Sequence, residues 1–164
     1  MFITQFLCKE CIIPDLEATT KDEVLRALAK CAAQAISKEW PNDDRLDENE
    51  ILNVLKEREQ LGSTGIGGGV AIPHGKVRGL KRLLVVFARS KRGVPFDALD
   101  QRAVYAIFLL LAPESASTAY LKILARISRL LKDTNVFSTL INANDVEALK
   151  VAIEEADKAL PLSI

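Results

Sequence analysis

The stretch Gly62-Ser63-Thr64-Gly65-Ile66-Gly67-Gly68-Gly69-Val70-Ala71-Ile72-Pro73-His74-Gly75-Lys76 constrains this chain more than any other. It holds the single histidine, His74, and six of the 8 glycines, Gly62, Gly65, Gly67, Gly68, Gly69 and Gly75. Glycine admits positive φ and close backbone approach, and successive N–H groups in such a loop can form a concave site for an anion. Val70-Ala71-Ile72 reads as a short strand, and Pro73 fixes its own φ and biases Ile72 toward extended structure. His74 is thereby expected just past a strand end, on a stiff mount among small residues.

Two nucleotide-binding readings of the glycine run fail. A phosphate-cradling loop needs G-x-x-x-x-G-K-[ST], but Gly75-Lys76 is followed by Val77 and preceded at the required spacing by Val70. A dinucleotide fingerprint beginning at Gly65 and Gly67 needs glycine at position 70, where Val70 stands.

The flanking periodicities give an α/β class. Thr20 and Glu23 form a capping-box pattern ahead of a helix running to about Lys38, with Val24, Leu25, Leu28, Cys31, Ala32, Ala35 and Ile36 as its apolar stripe. Trp40-Pro41-Asn42-Asp43-Asp44 breaks it. Asp47 and Glu50 open a second helix to Leu61, with Ile51, Leu52, Leu55 and Leu61 inward and Gly62 ending it. Leu83–Ala88 and Ala103–Leu111 are continuous apolar runs, the pattern of buried strands. Arg89–Gly93 reads as a polar turn, and Val94–Asp100 as a loop or edge strand. Helices are expected over 118–132, with Leu121, Leu124, Ile127, Leu130 and Leu131 inward, over 135–141, and from a cap at Asn144 or Asp145 to about Leu160. Residues 1–19 read as an irregular lead-in that can hold a short helix near its start. Helices, then strands mixed with connections, then helices predict a single layered domain over residues 1–164, with its core at about 3–160 and helices packed on a central sheet.

A chain of 164 residues suffices for one well-buried core. Lys+Arg and Asp+Glu balance at 22 each, which argues against a broad nucleic-acid footprint. No apolar run is long enough to span a bilayer, and Met1–Leu7 has no basic region ahead of its apolar residues, so a cytoplasmic location without membrane insertion is expected. Cys8-Lys9-Glu10-Cys11 forms a C-x-x-C with Cys31 elsewhere. Zinc would want four ligands, a thioredoxin-like motif should open a helix, and Pro14 follows instead; free thiols are expected.

The segment G-S-T-G-I-G-x-G-[IV]-A-I-P-H-G-K resembles the active-site segment of the enzyme IIA domains of the bacterial phosphotransferase system. It is similar to the fructose/mannitol branch and, within it, to the nitrogen-regulatory IIA proteins. The likeness covers nearly the whole chain and is weakest at both ends. It implies a mixed, about five-stranded sheet with helices on both faces. It also implies that His74 accepts a phosphoryl group, on Nε2, from a small HPr-like phosphocarrier protein. Arg58-Glu59-Gln60-Leu61-Gly62-Ser63-Thr64 matches the family pattern R-E-x-[LM]-G-S-T, which places Arg58 near the phosphohistidine. A guanidinium can hold two phosphate oxygens at once.

Around these two, Ser63 and Thr64 are candidate hydroxyl donors or loop hydrogen-bonders, and Gly67, Gly69 and Gly75 candidate backbone supports. Lys76 is a candidate for attracting an acidic partner, or plain surface. Asp97, in Pro95-Phe96-Asp97-Ala98-Leu99-Asp100, can orient the imidazole or cap a turn. Family members often carry a second histidine where Tyr120 stands here, in Tyr120-Leu121-Lys122-Ile123-Leu124. A neutral imidazole is a good nucleophile near pH 7, and phosphoryl transfer asks mainly for positioning and charge stabilisation; no metal or other cofactor is required. Three functions stay open: a regulatory phosphocarrier that binds targets according to its phosphorylation state, a sugar-uptake IIA passing phosphate to a IIB domain, and an interaction module that has lost transfer.

Overall fold

The computed structural model describes residues 1–41 and 46–162. Its elements are β1 (Leu7–Ile13), α1 (Lys21–Glu39), α2 (Glu48–Gln60), β2 (Gly65–Gly67), β3 (Val70–Ala71), β4 (His74–Lys76), β5 (Leu84–Val94), β6 (Val104–Ala112), α3 (Ser117–Lys132), α4 (Thr134–Asn142) and α5 (Val146–Ala159), after a 3₁₀ turn at Ile3–Gln5. The predicted helix break at Trp40–Asp44 begins where α1 ends at Glu39; Asn42, Asp43 and Asp44 lie outside the described residues.

The 6 strands lie in the order β1-β5-β6-β3-β2, with β4 also on β6. β3 and β4 are successive pieces of one line: Val70 and Ala71 pair with Ala106 and Ile107, and His74, Gly75 and Lys76 with Leu110, Leu111 and Ala112. The gap falls at Ile72-Pro73, where proline has no N–H to donate. Five lanes of sheet thus carry six strands. β1 is parallel to β5, β5 antiparallel to β6, and β6 parallel to both β3 and β4.

Residues 84–88 of β5 and the whole of β6 read as unbroken apolar runs because both faces of the sheet are covered there. Val86, Ala88, Ile107, Leu109 and Leu111 meet α1 and α2 on one face. Val85, Phe87, Ala106, Phe108 and Leu110 meet α3, α4 and α5 on the other. Phe87 and Phe108 pack with ring centroids 4.8 Å apart, a tilted pair of the kind that contributes about 0.5–1.5 kcal/mol beyond its area.

Several expectations need correcting. Residues 1–19 are not merely irregular, since β1 forms the parallel edge of the sheet. The predicted polar turn at Arg89–Gly93 is the second half of β5. Arg89 is fully buried there because its guanidinium donates to Pro14 O (3.0 Å), Leu140 O (3.0 Å) and Ala143 O (2.6 Å). Leu61 and Leu121 are 85% and 62% exposed, not inward. On α3 the buried residues are Ile123, Ile127, Leu130 and Leu131 with Arg126, and Leu124 packs half-buried against the same core, so the expected stripe holds at Leu124, Ile127, Leu130 and Leu131 and fails at Leu121.

The two ends of the chain meet on α3. Arg126 Nε lies 2.7 Å from Asp157 Oδ1, while Thr4 donates through N and Oγ1 to Asp157 Oδ2 and Arg126 Nη1 donates to Pro161 O. Nor are Cys8 and Cys11 free: a disulfide joins them. A regular strand would hold residues three apart at roughly 10 Å, but β1 is irregular between Leu7 and Ile12, and their Cα atoms lie 5.1 Å apart. Cys31 stays a thiol, pushed up to about 11 by burial first and by Glu10 second.

Candidate active site

Gly75 faces α2 so closely that a Cβ there would lie 2.5 Å from Val54 Cγ1. Alternation along β4 therefore turns His74 to the other face of the sheet, where α3 begins. The Tyr120 ring lies with its centroid 6.1 Å from that of the imidazole, tilted by 52°.

The two ring nitrogens of His74 have different partners. Nδ1 is 2.6 Å from Ile72 O, and Nε2 is 3.3 Å from Arg58 Nε. A carbonyl oxygen can only accept and a guanidinium can only donate. Nδ1 therefore carries the proton and Nε2 the lone pair. Desolvation by burial, the largest cause, and then the charge of Arg58 hold the imidazole below its ordinary value of 6.5, against the opposing effects of the Ile72 carbonyl and Glu59. The ring is thus a neutral base across the neutral range, with a single nucleophilic nitrogen.

Arg58 arrives from the last turn of α2, where its charge also suits the helix C-terminus. Its Nη1 donates to Gly62 O at 2.8 Å, so the Nε edge is the one presented to His74. Lys76 Nζ lies 5.7 Å over the Tyr120 ring and 3.3 Å from Ser117 Oγ, at the start of α3. The Tyr120 hydroxyl is raised above its ordinary value by desolvation, with Arg58 opposing; it remains a hydrogen-bond donor throughout the neutral range.

The other sequence-predicted residues divide. Ser63 donates to Phe96 O (2.7 Å) and accepts from Gly65 N, and Thr64 binds the Glu59 carboxylate through both N and Oγ1. Their hydroxyl protons thus build the loop. Gly67 and Gly69 have φ of 94° and 83° and turn the chain between β2 and β3. Gly69 O accepts from Tyr105 N and Ala106 N, which lie five and four residues along β6 from Leu110, the partner of His74, or roughly 13–16 Å at strand rise. Gly68 N donates to Asp100 Oδ2. The structure therefore does not bring this glycine turn to the imidazole. Asp97 is turned to solvent, its nearest cation Lys21 at 3.9 Å, and the imidazole is oriented by Ile72 O instead.

Two groups went unassigned at the sequence level. One is that backbone carbonyl, which no side-chain pattern signals. The other is Glu59, which stood inside the R-E-x-[LM]-G-S-T segment without a role.

The family model of the phosphoenolpyruvate-dependent sugar phosphotransferase system, EIIA 2, matches residues 5–156. The chain belongs to this family. It is 40% identical over 149 residues to the nitrogen regulatory protein of Bradyrhizobium diazoefficiens, covering 91% of this chain and 92% of that one. It is 33% identical over 158 residues to the fructose-specific EIIABC component of Bacillus subtilis, covering 96% of this chain but only 24% of that protein. The crystal structure of IIA-Ntr from Neisseria meningitidis superimposes with a TM-score of 0.82 at 30% identity, covering 92% of this chain and 98% of that one. The IIA mannitol structure from Escherichia coli, at 19% identity, covers 89% of this chain and 97% of that one, and shares the fold with a TM-score of 0.71.

Proposed function

We propose that this EIIA domain is a regulatory phosphocarrier: His74 accepts a phosphoryl group from an HPr-like phosphocarrier protein, and the modified and unmodified forms bind different target proteins. The observation that carries this reading is the split of the imidazole between Ile72 O and Arg58, which leaves Nε2 as the only lone-pair nitrogen, beside a guanidinium. The regulatory assignment rests on the 40% identity to a nitrogen regulatory protein.

In the transfer, the Nε2 lone pair forms the new N–P bond while the bond from phosphorus to the donor breaks, its electron pair leaving with the donor group. No proton need leave His74. Nδ1–H stays on Ile72 O, which stabilises the positive charge the ring gains. Arg58 Nε–H, released from Nε2, is left within reach of the phosphoryl oxygens, and charge-assisted N–H···O bonds of this kind are the strong ones. Passing the group onward reverses the same steps.

The test is incubation with phosphoenolpyruvate, enzyme I and a phosphocarrier. Label should appear on wild type as an acid-labile, alkali-stable adduct and be absent from His74→Ala. Label of the same lability on His74→Ala removes the assignment, and no label on wild type leaves the domain as an interaction module. Onward transfer to a IIB domain would support sugar uptake instead.

A further inference from the structure

The turn that brings Arg58 to His74 is held by a buried carboxylate. Glu59 is the residue next to Arg58, and only 6% of its side chain is exposed. One oxygen, Oε1, accepts from Thr64 N at 3.0 Å and from Lys21 Nζ at 2.9 Å, while Oε2 accepts from Thr64 Oγ1. Lys21 opens α1 and also lies 4.8 Å over the Phe96 ring, whose backbone carbonyl receives Ser63 Oγ. Three separate segments thus converge on one carboxylate: the N-terminus of α1, the C-terminus of α2 and the loop leading to β2.

This geometry bears directly on Arg58. Its Nη1 is anchored to Gly62 O, inside the turn that Glu59 closes by holding Thr64. The position of Gly62 O fixes the guanidinium, and the guanidinium fixes the direction of Nε–H toward His74 Nε2. Resting on the phosphocarrier reading above, we propose that Glu59 is a positioning residue for phosphoryl transfer. With Lys21 and Thr64 it locks the turn on α2, so that Arg58 reaches Gly62 O and His74 together. Glu59 does not touch the imidazole, and its burial keeps it from a docked partner protein. It should therefore govern the chemical step and not the encounter. Misplacing a reacting group by about 1 Å can cost on the order of a hundredfold in rate.

The test uses the full chain in four variants, Glu59→Gln, Thr64→Val, Thr64→Ser and Lys21→Met. Because His74 is the only histidine, its ring nitrogens can be read by NMR without ambiguity. In folded Glu59→Gln and Thr64→Val, kcat for phosphoryl acceptance should fall about ten- to a hundredfold with KM for the phosphocarrier unchanged. The Nε2 resonance should shift as the Arg58 contact loosens. Thr64→Ser keeps the hydroxyl donor and should recover most of the rate lost in Thr64→Val. In Glu59→Gln the His74 midpoint should also move further down, since the carboxylate charge supports the protonated ring.

A purely architectural Glu59 would lower the melting temperature and leave kcat and the His74 resonances of the folded protein where they are; that result overturns the proposal. If Glu59→Gln does not fold, Thr64→Val and Lys21→Met apply the same criteria from the partner side. If wild type takes no label, the phosphocarrier reading fails, and the His74 Nε2 shift in the variants still decides whether Glu59 sets the Arg58 contact.

Discussion

The two ends of the glycine-rich segment do different work. At the tip between β2 and β3, Gly67, Gly68 and Gly69 all have positive φ, and Gly68 N is already bound to Asp100. A Cβ on Gly69 would come 2.8 Å from Phe137 Cζ. That end needs glycine in order to turn and to pack. At the other end, where the loop leaves α2, what matters is side chains: Arg58 on His74 and Gly62 O, and Glu59 on Thr64. A run that looks like one anion cradle is a hairpin tip joined to the edge that carries His74, separated by the length of a short strand. Glycine density marks tight backbone geometry, and only the surrounding partners say whether that geometry serves a ligand or a turn.

Substitution at the two ends should therefore separate rate from stability. The largest effect on rate, apart from losing His74 itself, is expected from Arg58→Lys. Lysine keeps the charge but not the fork. Loss of one charge-assisted contact costs about 1.5–3 kcal/mol, or roughly ten- to a hundredfold in the initial rate of labelling if expressed in the transition state. Rates equal to wild type would take Arg58 out of the chemistry.

Gly69→Ala should do the reverse. Forcing a side chain into positive φ costs about 1–3 kcal/mol, and the contact with Phe137 adds to it, so the thermal or urea midpoint should drop. The labelling rate per folded molecule should stay at the wild-type value. A slowed chemical step in this variant would mean that the glycine tip reaches the phosphoryl group after all.

A smaller effect concerns pH. His74 is held below its ordinary 6.5, so the rate of acceptance should be flat from about pH 8 to 6.5 and decline only further into the acid. The linkage has the matching sign. The unfolded chain takes up the proton at higher pH than the native one, so this group's contribution to stability is present above 6.5 and lost as pH falls toward the native value. Arg58→Met should move the acid limb of the rate profile upward, because the Arg58 charge is one of the causes of the depression. An acid limb at or above 6.5 in wild type contradicts the burial account.

The smallest effect is expected at Tyr120, whose ring stands beside the imidazole. Tyr120→Phe removes one neutral hydrogen-bond donor, which is about 0.5–1.5 kcal/mol, so the phosphoprotein lifetime or its rate of formation should change by less than about tenfold. Tyr120→His should speed exchange with the carrier and add a second titration near neutrality, since histidine can gain a charge there and tyrosine cannot. Superimposable pH–rate profiles for all three proteins would mean that residue 120 does not reach the phosphoryl group.

The site was only partly legible in the residue string. His74, Arg58 and Tyr120 come together as the motif resemblance implies, because each sits at the end of an element whose limits are written locally. Asp47 caps α2, Leu61 ends it, and Pro73 interrupts the line of β3 and β4. The polar residues were harder to place. Arg89 reads as part of a turn and lies wholly inside the protein, because carbonyls distant in sequence, from Pro14 and from the end of α4, accept its protons. The α3 stripe holds at Leu124, Ile127, Leu130 and Leu131, but its first member, Leu121, is left to solvent while Ile123 takes the inward place.

The sequence by itself determined the α/β class, the two long buried strands, the helix caps at Thr20 and Asp47, and the place of the single imidazole, His74, just past a strand end. All of these rest on interactions within a few residues or on periodicity. The tertiary structure alone decided what each ring nitrogen of His74 meets, which glycines stand far from the imidazole, that Cys8 and Cys11 are joined, and that Glu59 gathers three segments beneath the site. Each of those depends on a hydrogen bond, a register or a covalent link made by the folded backbone, and residue identity carries no record of where the folded chain will place a partner.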